Sequence, residues 1–210
     1  MFRRIAIQPL FAAMLITGAC GRPVTPETHG TASAPRMFVG EVAGTDARVA
    51  MVATEHSARV YFCGGDSSVA TSSKWVRASI DGTGKLSPEN GDGRWRLEGA
   101  MEGNRIKGSI DRGDGVPHAF DMALVQPGTI AGLYETTASC GTVGVIVTQA
   151  SPEARPSAQG ACIPPPNAST QFFQVNPLGP LVVGDDGAIA VLARGTEEPA
   201  RVHPASLPAQ

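Results

Sequence analysis

The chain has 210 residues, of which 42% are hydrophobic and 17% charged, and its 17 Lys and Arg against 19 Asp and Glu give a net charge of −2 at pH 7. This length and apolar content are enough for a domain with a substantial core, whereas the slightly acidic balance excludes nucleic acid from the expected partners. The 25 Gly and 17 Pro residues favour strands joined by tight turns over a helical fold.

The first twenty residues have the layout of an export signal. Arg3 and Arg4 form a basic head, an apolar segment covers residues 5–16, and small residues precede Cys20. The apolar segment is shorter than the roughly 20 residues that a membrane-spanning helix needs. Residues 1–19 are therefore predicted to form a helical signal peptide that is removed on export.

The segment Ile16-Thr17-Gly18-Ala19-Cys20 resembles the lipobox of bacterial lipoproteins, in which small or aliphatic residues precede an obligatory Cys. Thr17 stands where Leu is commonest in that family. The resemblance implies that Cys20 becomes the first residue of the mature protein and carries diacylglyceryl and acyl chains, which would hold it on a membrane. The protein would then lie in the cell envelope, on the periplasmic side of an outer membrane or the external face of the plasma membrane. An ordinary secretory signal, in which Cys20 is incidental, is the alternative.

Residues 20–36 have the composition of a tether. They contain three Pro, several Ser and Thr, and no apolar periodicity, which predicts an extended, flexible linker.

Residues 37–150 consist of short stretches that alternate between apolar and polar residues and are separated by turn residues. This period of two predicts about nine half-buried strands. In the clearest hairpin, Ile106 and Ile110 are expected to point inward. We predict an all-β domain that forms an antiparallel up-and-down β-barrel, because closure removes the unpaired edges of an open sheet. A β-sandwich is the alternative.

The composition of the sequence changes downstream of this domain. Residues 151–195 are predicted to form an irregular Pro-rich loop and extra strands packed on the β domain, with a hairpin around Asp185-Asp186-Gly187. Residues 196–210 are predicted to be a disordered tail.

Three cysteines remain besides Cys20, and export places them in an oxidising compartment where pairing is expected. We predict a Cys140–Cys162 disulfide, because both residues flank the Pro-rich segment, and closing a loop of about 22 residues would stabilise the fold by roughly 3 kcal/mol. Cys63 is then a free, largely buried thiol. A reactive Cys63 is the alternative, which would need a cationic neighbour such as His56 to lower its pKa.

No other motif carries a strong chemical signal. The run Gly64-Gly65-Asp66-Ser67-Ser68 resembles the Gly-Asp-Ser core of trypsin-like serine proteases over three residues, but a loop rich in turn formers explains it better. Neither the four His nor the Asp-Gly turns have metal-ligand spacing, so no metal or cofactor is predicted. His118 is expected to point inward beside Phe120, as a core histidine or, less strongly, as part of a ligand pocket.

The body carries a further resemblance. The residues Gly40 to Asp46, Val60 to Cys63, Trp75 and Gly132 to Tyr134 are together similar to an uncharacterised domain of secreted and lipid-anchored proteins of high-GC bacteria. This resemblance covers residues 37–150 and implies no activity and no site residues.

The sequence as a whole predicts a membrane-anchored lipoprotein that binds rather than catalyses, its partner being a small apolar ligand or an envelope protein. The first alternative is a hydrolase or thiol enzyme that uses Cys63 or His118. The second is a structural component of the cell envelope.

Overall fold

Antiparallel strands account for nearly all of the regular structure, which the computed structural model describes for residues 34–89, 94–166, 168, 171–193 and 199–207. The predicted signal helix, Cys20 and the tether up to residue 33 lie outside the described residues. None of the described helical segments is long or apolar enough to span a lipid bilayer.

The first eight strands form a closed barrel, here called barrel 1, in which each strand pairs with the next along the chain and the last pairs with the first. A short helix, α1 (Val69–Ser72), follows the third strand. The up-and-down barrel predicted from the sequence is therefore confirmed. Its strands are β1 (Arg36–Val42), β2 (Arg48–Ala53), β3 (Ser57–Cys63), β4 (Lys74–Ile80), β5 (Lys85–Pro88), β6 (Arg96–Glu102), β7 (Arg105–Asp111) and β8 (Pro117–Leu124).

Six further strands form a second closed barrel, here called barrel 2, which also follows chain order and closes between its last and first strands. All described residues belong to one compact unit. The strands of barrel 2 are β9 (Gly132–Ala138), β10 (Gly141–Thr148), β11 (Ser157–Ile163), β12 (Phe173–Pro177), β13 (Ile189–Ala193) and β14 (Pro199–Pro204).

The second barrel corrects the predicted domain boundaries. The β domain predicted for residues 37–150 ends as a barrel at β8, because β8 already pairs with β1 and leaves no open edge. β9 and β10 belong to barrel 2, together with strands from the segment 151–195 that was expected to pack on the first domain as loop and extra strands.

The prediction of a disordered tail over residues 196–210 is wrong for β14, which pairs with both β13 and β9. Val202 in this strand is fully buried. Pro199 and Pro204 stand at the two ends of this strand, where few ladder hydrogen bonds are lost, so neither prevents its pairing.

The interior of barrel 1 is occupied by its own side chains. Ile106 and Ile110 point inward as predicted and are almost fully buried. The ring of Phe62 lies 6.0 Å from that of Phe120 and 5.8 Å from that of Trp95, centroid to centroid. A Cβ atom at Gly108 would lie 2.5 Å from Cζ of Phe120, so glycine lets this ring pack directly on the backbone.

The predicted Cys140–Cys162 disulfide is confirmed, with Cα atoms 6.1 Å apart. It joins the β9–β10 turn to β11 and packs in the interior of barrel 2. The remaining interior is built largely from β-branched side chains, including Val143, Val145, Val147, Val175, Ile189, Val191 and Val202.

The two barrels pack through the outer faces of β1–β4 and β9–β11. Tyr61 on β3 is fully buried there, and its Oη lies 3.3 Å from the carbonyl oxygen of Gly144 and 3.4 Å from that of Ala161. A Cβ atom at Gly144 would lie 2.6 Å from the Tyr61 ring, so this glycine sets how closely the sheets approach. β3 and β10 are each buried on both faces as a result.

Candidate functional site

The residues singled out in the sequence do not converge on one site. His118 lies on the inner side of β8, half-buried, and its Nε2 accepts a hydrogen bond from Nη2 of Arg112 at 3.0 Å. Arg112 also donates to Oγ of Ser72 at the end of α1 and lies 3.5 Å from the carboxylate of Asp114. His118 therefore belongs to a polar group that closes one end of barrel 1.

Cys63 is free and buried, as the sequence predicted. Its Sγ lies 3.6 Å from the carbonyl oxygen of Gly64, and burial raises the pKa of the thiol to about 11. His56 lies in the β2–β3 turn, at the opposite end of β3 from Cys63. The reacting form of cysteine is the thiolate, so this environment does not prepare Cys63 for nucleophilic chemistry at neutral pH.

The Gly-Gly-Asp-Ser-Ser loop wraps around a carboxylate. Asp46, from the β1–β2 turn, accepts hydrogen bonds from Oγ of Ser67 at 2.6 Å, from N of Ser67 at 3.3 Å and from Oγ of Ser68. The hydrogen bond from the Ser67 hydroxyl, followed by that from Ser68, lowers the pKa of Asp46. A Cβ atom at Gly65 would lie 2.7 Å from Oδ2 of Asp46, which explains the glycine. Both hydroxyls therefore donate to a carboxylate, and neither is paired with a histidine as the nucleophile of a serine protease would be.

This loop forms one wall of a cleft of about 430 Å³ between the two barrels, here called the inter-barrel cleft. The opposite wall comes from the outer faces of β11 and β12. The cleft is lined by Asp46, Gly65, Asp66 and Ser67 of barrel 1 and by Ala158, Gln159, Gln174 and Asn176 of barrel 2.

Hydrogen bonds between the barrels fix the width of the cleft. Nε2 of Gln159 donates to the backbone carbonyl oxygens of Asp46 at 3.0 Å and Cys63 at 2.5 Å. Nε2 of Gln174 donates to Oδ1 of Asp66. These bonds join both walls directly, so the cleft is preorganised.

A second concavity, of about 700 Å³, lies on the outer surface of barrel 1 over β1, β7 and β8. Asp121 and Lys107 in its lining already have partners: Asp121 receives two hydrogen bonds from Arg105, at 3.1 and 2.5 Å, and Lys107 lies 4.0 Å from Glu102, whereas Glu41 is exposed. Although it is larger, this groove offers mainly paired charges and strand backbone. The inter-barrel cleft is therefore the better candidate site.

The sequence did not identify the residues of the cleft. Gln174 and Asn176 flank the buried Val175, and this alternation could have indicated two amides on the outer face of one strand. Their proximity to Asp46 depends on how two barrels pack, which no local pattern encodes.

The chain matches no protein-family model, and comparison with curated proteins and with solved structures finds no similar protein.

Proposed function

We propose that the protein is a lipid-anchored protein of the cell envelope that acts by binding a ligand or an envelope partner. Cys20 carries the acyl chains, residues 20–36 form the tether, and the two-barrel body is the binding module. The observation that carries the proposal is the lipobox-like segment ending at Cys20, followed by a body whose accessible polar site is a cleft and whose candidate nucleophile is buried.

The contacts of the candidate catalytic residues favour binding over catalysis. The Cys63 thiol is protonated at neutral pH because burial raises its pKa to about 11. His118 is engaged by Arg112. The hydrolase or thiol-enzyme alternative uses Cys63 or His118, and it would require whichever group it uses to leave its present surroundings.

The packing also favours a surface site over an enclosed apolar one. Barrel 1 is filled by buried side chains such as Phe38, Phe62 and Met122, so an apolar ligand would have to displace them. A purely structural envelope role is the remaining alternative, and an open polar cleft favours binding over that role.

The direction of β1 indicates how far the cleft lies from the tether. The tether enters the barrel at Arg36, the first residue of β1, and Asp46 lies in the turn that follows the other end of that strand. Seven residues of extended chain span about 20 Å. The cleft would therefore lie at the end of β1 farther from the anchor, about 20 Å from the residue at which the tether enters the barrel.

Metabolic labelling with palmitate, combined with membrane fractionation, tests the anchor. The parent protein should incorporate label and sediment with membranes, whereas Cys20→Ser should do neither. Cys63→Ser serves as the matched control and should remain labelled. A parent protein released into the medium with Cys20 unmodified would contradict the proposal.

A further inference from the structure

We infer that the inter-barrel cleft binds a neutral oligosaccharide of two to three rings through its amide and carboxylate groups. This inference deepens the proposed function, since it names the ligand class of the binding module. The cleft volume of about 430 Å³ lies within the range of small-molecule sites, roughly 300–1,000 Å³.

The charges around the cleft determine which ligands it can accept. None of its lining residues is Lys, Arg or His, and two of them are Asp. An anionic ligand would find no cation there and would meet two carboxylates. Phosphates and acidic sugars are therefore excluded as ligands on electrostatic grounds.

The carboxylate of Asp46 is already satisfied within the chain. Two seryl hydroxyls and one backbone N–H donate to it, and these bonds hold it in the ionised form at neutral pH. Its role is to shape the loop that forms the wall of the cleft. A metal ion would have to compete with all three donors, which leaves Asp66 as the other acidic group in the lining.

The amide groups of the cleft are oriented by their existing bonds. Nε2 of Gln159 donates to two carbonyl oxygens, and Nε2 of Gln174 donates to a carboxylate. Because carbonyls and carboxylates only accept, these contacts assign the amide nitrogens. Within the described part of the chain, Oε1 of Gln159 and of Gln174 receive no hydrogen bond, and the Asn176 side chain has no partner.

The cleft therefore offers open acceptors on Gln159, Gln174 and Asp66 beside an amide on Asn176 that can both donate and accept. A sugar hydroxyl also both donates and accepts, so vicinal hydroxyls can satisfy such an array. An ammonium group can only donate and would leave the Asn176 donor unused. The two carboxylates would attract a polyamine by charge, but a polyhydroxylated ligand also uses the Asn176 donor, so spermine is the competing probe in the test.

The test is a titration of the full chain, purified in detergent and labelled with ¹⁵N, with two neutral probes: cellotriose and the trimer of N-acetylglucosamine. At least one probe should shift the side-chain amide signals of Gln174 and Asn176. Asn176→Ala should weaken that binding about fivefold, as expected for the loss of one hydrogen bond. Asn104→Ala, an exposed Asn in the β6–β7 turn, should bind like the parent.

Gln174→Ala removes a hydrogen bond between the barrels as well as a contact to the ligand. Its weaker binding therefore supports the inference only if its NMR spectrum is unchanged outside the cleft. Shifts confined to residues away from the cleft, or no shift with either probe at millimolar concentration, would overturn the inference. So would shifts with spermine but with neither sugar, which would reassign the cleft to a cationic ligand. Because binding is measured whether or not Cys20 is acylated, a failed anchor and a failed binding site remain distinguishable.

Discussion

Barrel 1 encloses its core with eight strands and barrel 2 with six, and the residues in the two interiors differ accordingly. Barrel 1 buries Phe38, Phe62 and Phe120 among aliphatic side chains. Barrel 2 is filled mainly by Val, Ala and Ile around Tyr134 and the disulfide. Because barrel diameter grows with strand number, six strands leave room only for smaller side chains. The narrower barrel therefore buries less apolar volume and depends more on its covalent cross-link.

Removal of the disulfide should produce the largest difference between the barrels. The double variant Cys140→Ala, Cys162→Ala should lose about 3 kcal/mol of unfolding free energy, because the unfolded chain is no longer constrained. Hydrogen exchange should show that the backbone amides of β10 and β11 lose their protection first. Urea unfolding of the parent in reducing buffer provides the control and should match the double variant. If the amides of both barrels were equally protected from hydrogen exchange in the double variant, barrel 2 would not depend on its cross-link.

A methyl group added at the contact between the barrels should lower the stability of the folded protein. Gly144→Ala places a Cβ 2.6 Å from the Tyr61 ring, and overpacking of this kind should cost about 2 kcal/mol. The matched control is Gly82→Ala, where a Cβ would meet nothing within 4 Å. Thermal unfolding of both variants is the measurement. A Gly144→Ala protein as stable as Gly82→Ala would show that the barrels do not pack as closely as described.

Alkaline pH should weaken the same interface through Cys63. Burial raises the pKa of its thiol from 9.0 to about 11, so the unfolded chain loses this proton before the folded one does. Folding stability should therefore fall between about pH 9 and pH 11, by about 2 kcal/mol from this group. Cys63→Ala should remove that part of the decline and leave the part due to Tyr61, whose pKa burial also raises. An unchanged pH profile in Cys63→Ala would refute the assignment.

The smallest expected effect is a difference in coupling energy between two ion pairs, one between the barrels and one within barrel 1. Arg59 and Glu135 are joined at 2.6 Å, each about one-fifth exposed, and Arg59 also lies 4.0 Å over the Trp75 ring. A double-mutant cycle to Ala should give a coupling energy of about 1 kcal/mol. The control pair, Arg105 and Asp121, is more exposed and should give less. Equal couplings would indicate that the interface does not shield its charges.

The part of the fold that could be predicted is the part in which each strand has one buried and one exposed face. The stretch from His118 to Leu124 alternates in sequence and in burial, so its inner face was identified correctly. The Cys140–Cys162 pair was chosen correctly, but the segment it encloses is not irregular, because β10 and β11 pair along almost their whole length. Turn residues with positive φ, such as Gly103 and Gly115, marked the hairpins of barrel 1.

The existence of a second barrel could not be predicted from the same pattern. Tyr61 to Cys63 and Val145 to Val147 are continuous apolar runs because their strands are buried on both faces, and such runs are typical of strands covered on both sides. Their lack of alternation is the sequence signal of the interface between the barrels. The cleft depends on that interface, so Gln159 and Gln174 could not be associated with Asp46 before the barrels were seen together.

Native mass spectrometry of the full chain purified from its own membrane tests the proposed binding lipoprotein most directly, because it reports the modification of Cys20 and any retained ligand in one spectrum. We expect a mature chain that begins at Cys20, carries diacylglyceryl and acyl chains, and retains a neutral oligosaccharide in a larger fraction of molecules than the Asn176→Ala variant does. A mature chain with residue 20 unmodified, free of any such ligand, would contradict it.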